Sequence, residues 1–308
     1  MANIEELKRE AEEAKERVKR DMIEFRSILR RIANEANVDG HDGTHEAMHK
    51  AEKKFEETAT RMEARIDKAI AILTKSASDT GKITTREYDF SDFTNIEVAC
   101  CFLVTVTQSD SYRVSVTGRE KLFSYIDIDK SGSKLRMAIK PFHFRTKPML
   151  KVNITMPVLH KLRLSGAAKA KVCGFSSQEN LGINISGAST LDIDIEAGKT
   201  KVEVSGAGKL YGNMNIADAE FTLSGASRAE LTGSAGKAKL SAWGASWLDL
   251  GDFTLNDTGI DLNGASQAEI KVNGKLDLEL SGGSRVTYSG SPTIGNVNIS
   301  GASTMLQK

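Results

Sequence analysis

One phrase recurs eight times after residue 160, and this repeat constrains the fold more than any other feature of the sequence. Each copy has an apolar, a polar and an apolar residue followed by a tetrad of small residues, as in VEVSGAG at residues 202–208. Successive tetrads are separated by 21, 19, 19, 19, 20, 18 and 19 positions. The tetrads begin at Ser165, Ser186, Ser205, Ser224, Trp243, Asn263, Ser281 and Ser300. A period of about 20 residues is typical of a solenoid.

The residues before each tetrad alternate between apolar and polar, which is the pattern of a β-strand with one buried face. Each repeat is too short to contain a helix as well. The sequence therefore predicts a mainly β fold, a right-handed parallel β-helix or solenoid with coils of about 19 residues. Residues 161–308 would form the regular repeats. The less regular, strand-rich residues 81–160 would form the first coils and cover one end.

The tetrad itself is explained by the bend that every coil must make at the same point. Glycine tolerates the backbone angles of a bend, and small residues avoid collisions between stacked copies. Serine hydroxyls can also bond to the nearby backbone. A ladder of catalytic serines is not favoured, because the chain has five histidines and none lies beyond His160. No catalytic residue is therefore predicted.

The first 80 residues have a different chemistry. Residues 1–82 contain 17 Lys or Arg and 18 Asp or Glu, but only three of the 26 glycines and none of the four prolines. Residues 4–32 and 48–73 carry apolar side chains at helical spacing, and Gly40 and Gly43 interrupt the pattern between them. This pattern predicts an N-terminal antiparallel α-helical hairpin at residues 1–80, joined near residues 76–82 to a β-solenoid at residues 81–308.

Several longer phrases of the second region resemble a known family. The phrases are ITTREYDFSDFTNIEV, VTVTQSDSYRVSVTG and VNITMPVLHKLRLSGAA, followed by the repeated SGAS. They resemble the GIN-domain family of auto-transporter adhesin head domains over roughly residues 81–308. The resemblance implies a β-helix, an extracellular or cell-envelope location, and a non-catalytic role in adhesion or glycan binding. Residues 99–102 (ACCF) depart from the family, which usually has a small Ser-Gly-Ala phrase there.

Composition limits the other classes of partner. The net charge of +1 provides no field that favours nucleic acid, and no apolar run is long enough for a membrane span. Three cysteines, Cys100, Cys101 and Cys173, do not make a disulfide framework, and no cofactor is indicated. The first twenty residues do not resemble a signal peptide, so a cytoplasmic location stays open beside the extracellular one.

The sequence HEAMH at residues 45–49 matches a zinc-protease pattern, in which two histidines lie on one helical face with a glutamate between them. His41, His45 and His49 are therefore weak candidates for metal ligands. Against this, Lys50 follows directly, and the motif lies beside the turn of a highly charged hairpin. A solvated helix start is the favoured interpretation, and a zinc-dependent hydrolase is the less favoured function.

Two other charged patterns are candidate sites. Residues 140–151 interleave basic residues with Phe142 and Phe144, which suits nucleic acid or an acidic glycan but also an ordinary charged loop. An acidic column recurs one coil apart and could attract calcium weakly, although Lys171 and Tyr211 interrupt it. Its members are Asp192, Glu230, Asp249 and Glu269. A charged loop between strands is the favoured interpretation of the first pattern, and a solvated face is that of the second.

Both tryptophans of the chain lie in SAWGASWLDL, residues 241–250. Strand parity predicts that Trp243 faces outward, and Trp247 aligns with residues that are polar in every other coil. Exposed tryptophans suit sugar rings or a partner surface, so Trp243 and Trp247 are the predicted ligand-binding residues. Alternatively, they shield the tetrad and stack on neighbouring coils.

These observations predict a non-enzymatic surface binding or adhesion module whose partner is a surface glycan or a protein. The main alternative is a structural protein that self-assembles into a homo-oligomer through the helical hairpin or the open end of the solenoid.

Overall fold

The computed structural model describes residues 82–140 and 150–308, together with Glu13 and Glu16, which lie in a helix. The predicted helical hairpin at residues 1–80, with His41, His45 and His49, lies outside the described residues. So does most of the basic and aromatic segment at residues 140–151. These assignments stay predictions. The chain divides into two units, Met1–Gly81 and Lys82–Lys308.

The described part of the second unit is built almost entirely from β-strands, with one short 3₁₀ helix at Glu120–Tyr125. The strands that precede the regular repeats are β1 (Ile83–Tyr88), β2 (Asn95–Ala99), β3 (Phe102–Gln108), β4 (Arg113–Arg119), β5 (Ile126–Ser131), β6 (Lys134–Ile139) and β7 (Leu150–Met156). The strands of the regular repeats are β8 (Lys161–Ser165), β9 (Lys169–Ser176), β10 (Leu181–Ile185), β11 (Thr190–Ala197), β12 (Thr200–Val204), β13 (Lys209–Gly225), β14 (Arg228–Gly244), β15 (Trp247–Leu255), β16 (Thr258–Leu262), β17 (Gln267–Val272), β18 (Lys275–Leu280), β19 (Arg285–Ser289), β20 (Thr293–Ile299) and β21 (Thr304–Gln307).

Each regular coil contributes one strand before its tetrad and one strand after it. The strands before the tetrads pair in parallel from coil to coil, as β8, β10 and β12 do. The strands after the tetrads form a second parallel stack, as in β9, β11 and the first half of β13. The predicted mainly β solenoid with a spacing of about 19 residues is therefore confirmed. The right-handed sense of the coil stays a prediction.

The core lies between the two stacks and is filled by the apolar residue of each alternating pair. In β12, Val202 and Val204 are buried while Glu203 between them faces outward. Phe221 and Phe253 are fully buried and meet edge to face, with ring centroids 6.3 Å apart. Outside the bulges and the last coil, alternation thus divides the residues of each regular strand between the core and the surface.

The tetrad glycines make the corner that joins the two stacks. Gly187 has a φ of 70°, in the left-handed region that favours glycine. Ala188 N–H donates to the carbonyl oxygen of Gly166 in the preceding coil, at 2.7 Å. The equivalent bond is present at each of the next six corners, at 2.7–2.8 Å. Neighbouring corners are therefore in direct backbone contact.

The fourth tetrad position is buried, and serine there bonds to the backbone as expected. The hydroxyls of Ser246, Ser266 and Ser284 each donate to the carbonyl oxygen of the first tetrad residue, at 2.9–3.0 Å. The Ser227 hydroxyl instead pairs with that of Ser246 at 3.3 Å, and the Ser189 hydroxyl has no hydrogen-bond partner among the described residues. The residues at its position in the coils on either side, Ala168 and Gly208, carry no polar side chain.

The irregular strands do not stack in the order of the chain. The coil formed by β2 and β3 lies between β6 and β7 on one side and β8 and β9 on the other. Beyond β7 the pairing becomes antiparallel, through β4 and then β1, while β5 pairs antiparallel with β6. Cys100 stands in the glycine column of this coil with a φ of 77°.

At the stacked regular corners, the geometry leaves little room for a side chain in place of the tetrad glycines. A Cβ on Gly187 would lie 2.6 Å from the carbonyl oxygen of Gly166, and the positive φ would add strain. We expect Gly187→Ala to lower the free energy of unfolding by about 2 kcal/mol or more. Denaturant unfolding of the full chain measures this.

The matched control is Gly259→Ala, at a glycine in a strand. A Cβ there would meet nothing within 4 Å, and its φ is not positive. We expect its free energy of unfolding to stay within about 1 kcal/mol of the wild type. A small increase is expected within that range, because alanine lowers the conformational entropy of the unfolded chain. Equal losses in the two variants would contradict the corner argument.

Candidate ligand-binding site

Trp243 and Trp247 lie on either side of one corner, where β14 ends and β15 begins. Their relative exposures are 48% and 42%, so the outward orientation predicted for both is confirmed. The residues between them include Gly244, with a φ of 85°, and the exposed Ala245. Two large aromatic side chains therefore flank a corner that has almost no side chains of its own.

The backbone that carries the two tryptophans is held firmly. Ala245 N–H donates to the carbonyl oxygen of Gly225, and Trp247 N–H donates to that of Ser227, at 2.8 and 2.9 Å. The buried hydroxyl of Ser246 donates to the Trp243 carbonyl oxygen at 3.0 Å. A ligand that contacts the indole rings would therefore have little backbone to order, which lowers the cost of binding.

The surroundings of Trp247 are basic on one side. The Arg228 guanidinium carbon lies 5.4 Å from the centre of the Trp247 ring, within the range of a cation–π contact. Arg228 also pairs with Glu230 at 3.0 Å. Arg228 therefore contacts one face of the Trp247 ring, while the Trp247 side chain stays substantially exposed.

An open groove of about 580 Å³ lies on the outer face of the stack formed by the end of β14 with β16, β18 and β20. Its outward positions form two rows that run across these strands. One row passes from Lys239 through Gly259 to Asp277, and the other from Ser241 through Asp261 to Glu279. A Cβ on Gly259 would meet nothing within 4 Å, so the missing side chain leaves a notch.

Trp243 belongs to the next outward row of the same face. On β14 the outward residues alternate as Lys239, Ser241 and Trp243, with about 6.6 Å between successive members. In the adjacent coil Asn263 occupies the corresponding position, and its N–H donates to the carbonyl oxygen of Ala242 at 2.9 Å. The indole is therefore one row beyond the groove.

The groove is acidic, but its carboxylates differ in their surroundings. Asp277 accepts from Lys275 Nζ and from the backbone N–H of Asn296, both at 2.7 Å. These bonds, with that from Lys275 the stronger influence, hold the pKa of Asp277 below its ordinary value. Asp261 and Glu279 form no hydrogen bond or ion pair with any residue that the structure describes.

Sequence reasoning singled out the two tryptophans but missed the groove. A signal was present, because the equivalent outward position is charged in most coils, as at Lys201, Glu220 and Lys239. Gly259 departs from that pattern as Trp243 departs from a column of serines. Extending the alignment to the fourth residue before each tetrad would have revealed it.

The acidic column is aligned as the sequence suggests, with Glu230, Asp249 and Glu269 in three successive coils. Lys308 pairs with Glu269 at 2.6 Å, and this hydrogen bond raises the pKa of Lys308. Lys171 approaches Asp192 at 3.9 Å. Within residues 82–140 and 150–308, no group of three or more potential ligands could hold a metal ion.

The three cysteines are free, and Cys100 is exposed at its irregular corner. Among the described residues, no helix has the length and apolar character needed to cross a membrane.

A family model described as "Putative auto-transporter adhesin, head GIN domain" matches residues 92–292. The chain belongs to the GIN-domain family. At the level of the family this GIN domain is a surface binding module of the adhesin type, and the resemblance noted in the sequence is confirmed. A search of curated proteins found no match.

Solved structures share the fold of this GIN domain at low sequence identity. A "putative lipid binding protein" from Parabacteroides distasonis ATCC 8503 is 18% identical, with a TM-score of 0.68 over 74% of this chain and 98% of its own. A "putative adhesin" from Parabacteroides merdae ATCC 43184 is 19% identical, with a TM-score of 0.68 over 74% and 97%. Another, from Bacteroides fragilis NCTC 9343, is 20% identical, with a TM-score of 0.58 over 74% and 97%. At this identity they support the fold alone.

Tryptophan fluorescence tests the exposure of the site directly, because the chain has only two tryptophans. We expect acrylamide to quench the native protein nearly as well as the denatured protein, since both indoles are open to solvent. Trp243→Ser and Trp247→Thr, studied singly, assign the signal to each indole. Strong protection in the native state would contradict the outward orientation.

Proposed function

We propose that this GIN domain is a non-enzymatic adhesion module at the cell surface that contacts a glycan through Trp243 and Trp247. The observation that carries the proposal is the exposure of both tryptophans on one firmly held corner. Other coils place small or polar residues at these positions, so the fold does not require an indole there. A solvated indole gains most when it packs against a ligand.

The repeated serines support a structural role over a catalytic one. The hydroxyls of Ser246, Ser266 and Ser284 are buried and donate to backbone carbonyl oxygens. A nucleophilic serine needs an adjacent base, and the sequence has no histidine after His160. The regular repeats are therefore proposed to act as a scaffold.

Replacing the tryptophans by the residues that other coils use tests the proposal. We expect Trp243→Ser with Trp247→Thr to weaken binding to a glycan array at least tenfold, because exposed aromatic anchors commonly dominate binding energy. The free energy of unfolding should change by no more than about 0.5 kcal/mol.

The control is Ser205→Ala with Lys209→Thr, which changes the same two positions of a different corner. It should leave both binding and stability intact. A large loss of stability in the tryptophan variant would mean that the pair is structural. Unchanged binding would exclude the pair as the contact site.

Self-assembly is a second candidate function, favoured by the apolar surface of the last coil. Ile294, Val297 and Ile299 lie above Leu276, Leu278 and Leu280, yet they are 44%, 38% and 44% exposed. On their other side, β20 and β21 have no paired strand among the described residues. Unpaired strand edges are ready to pair with another chain. Association through residues 1–80 rests on their sequence pattern.

Light scattering on the full chain separates these routes. If assembly uses the last coil, we expect Ile294→Thr with Ile299→Thr to lower the molar mass of the oligomer, because both remove exposed apolar surface. Leu103→Thr, at an exposed apolar residue of β3, should not change it. A mass that is the same in all three proteins would exclude this surface.

A further inference from the structure

The groove beside Trp243 is an open, extended depression on the surface of the sheet. It spans four strands, β14, β16, β18 and β20, which is roughly 14 Å at the spacing of parallel strands. Its volume of about 580 Å³ lies within the range of small-molecule sites. It is thus longer than a single sugar ring and shallow enough to admit a chain from the side.

The floor of the groove is open because of one residue. Gly259 lies between Lys239 and Asp277 in its row, and a Cβ at Gly259 would project into empty space. Both neighbouring coils carry long or charged side chains at this position. The notch therefore lets a flat ligand approach the backbone of β16 more closely than it could approach the neighbouring strands.

The polar groups around the notch are available to a ligand. The side chains of Asp261, Glu279 and Asn298 have no hydrogen-bond partner within residues 82–140 and 150–308. Carboxylate oxygens are strong acceptors, and an amide both donates and accepts. A row of such groups suits a ligand that presents many hydroxyl groups on successive rings.

The charge of the groove restricts that ligand further. Asp277 is neutralised by its ion pair with Lys275. Among the other charged residues that line the groove, the two carboxylates of Asp261 and Glu279 outnumber the one amine of Lys239. Like charges brought close together are unfavourable, so uronic acids, sialic acids and phosphates are disfavoured. One row away, the exposed face of Trp243 offers a surface on which the C–H groups of a pyranose can pack.

From these observations we propose that the groove around Gly259 is an extended subsite for a neutral oligosaccharide, running across β14, β16 and β18 towards Trp243. This inference rests on the proposed glycan-binding function and adds the cleft and the class of sugar. Sugar hydroxyl groups donate to Asp261 and Glu279, and one sugar ring lies over the notch at Gly259. Trp243 stacks on a sugar ring at the end of the oligosaccharide.

Two variants test the cleft by different means. Gly259→Gln fills the notch without changing the charge, and Asp261→Asn with Glu279→Gln removes the carboxylates while keeping the shape. Each should weaken binding of the full chain to neutral gluco-, galacto- and manno-oligosaccharides about tenfold or more. Gly259→Gln acts by blocking the notch, and the double variant acts by weakening hydrogen bonds to charged groups. Titration calorimetry measures the affinities, and an oligogalacturonate should not bind.

The matched control is Gly182→Gln. Gly182 occupies the same outward row as Gly259 in another coil, and a Cβ there makes only ordinary contacts at 3.8 Å. It should bind as the wild type does. Thermal unfolding of all variants should match closely, which ensures that the losses report on the groove.

The outcomes separate the groove from the tryptophan site. If Gly259→Gln binds normally while Trp243→Ser with Trp247→Thr does not, the assignment of the groove as a subsite is overturned and the proposed function stands. If the wild type prefers oligogalacturonate, or if it binds oligolysine through Asp261 and Glu279, the assignment to neutral sugars is wrong. A wild-type chain that binds no saccharide of the panel overturns both the groove and the glycan assignment.

Discussion

The solenoid depends on one hydrogen bond that is repeated at seven successive corners. The N–H of the third tetrad residue donates to the carbonyl oxygen of the glycine one coil before it, at 2.7–2.8 Å. This bond brings two backbones so close that no side chain fits between them, as the 2.6 Å approach to Gly166 at Gly187 shows. Glycine is thus favoured at the corner for two reasons, because it tolerates a positive φ and because it has no Cβ. Coil spacing and register follow from that contact.

The same constraint determines where recognition can occur on this GIN domain. A corner made of backbone and small residues is rigid but has little chemistry of its own, so specificity depends on the residues beside it. Because every coil repeats the scaffold, one coil can exchange an outward residue without disturbing the core. Trp243 and Gly259 are two such exchanges, and they lie on neighbouring strands of the same face.

Much of this architecture was predictable because a strand has a period of two and the coils are stacked. A residue's position in the repeat therefore indicates whether its side chain faces the core or the solvent. This is why strand parity predicted the exposure of Trp243 and Trp247. The path of the irregular strands was not predictable. Parallel and antiparallel strands carry the same alternation, so nothing local in β2 shows that it inserts between β6 and β8. The groove was missed because an absent side chain matters only through its neighbours across the sheet.

The sequence by itself determined the period of the coil, the corner glycines and the division of each strand between core and surface. These properties depend on residue type and on spacing along the chain, which a one-dimensional pattern records completely. Only the tertiary structure decided which polar groups find partners. Arg228 lies over Trp247 and Lys275 pairs with Asp277, while Asp261 and Glu279 stay free among the described residues. Those outcomes depend on side-chain conformations and on distances in three dimensions, which the pattern along the chain does not record.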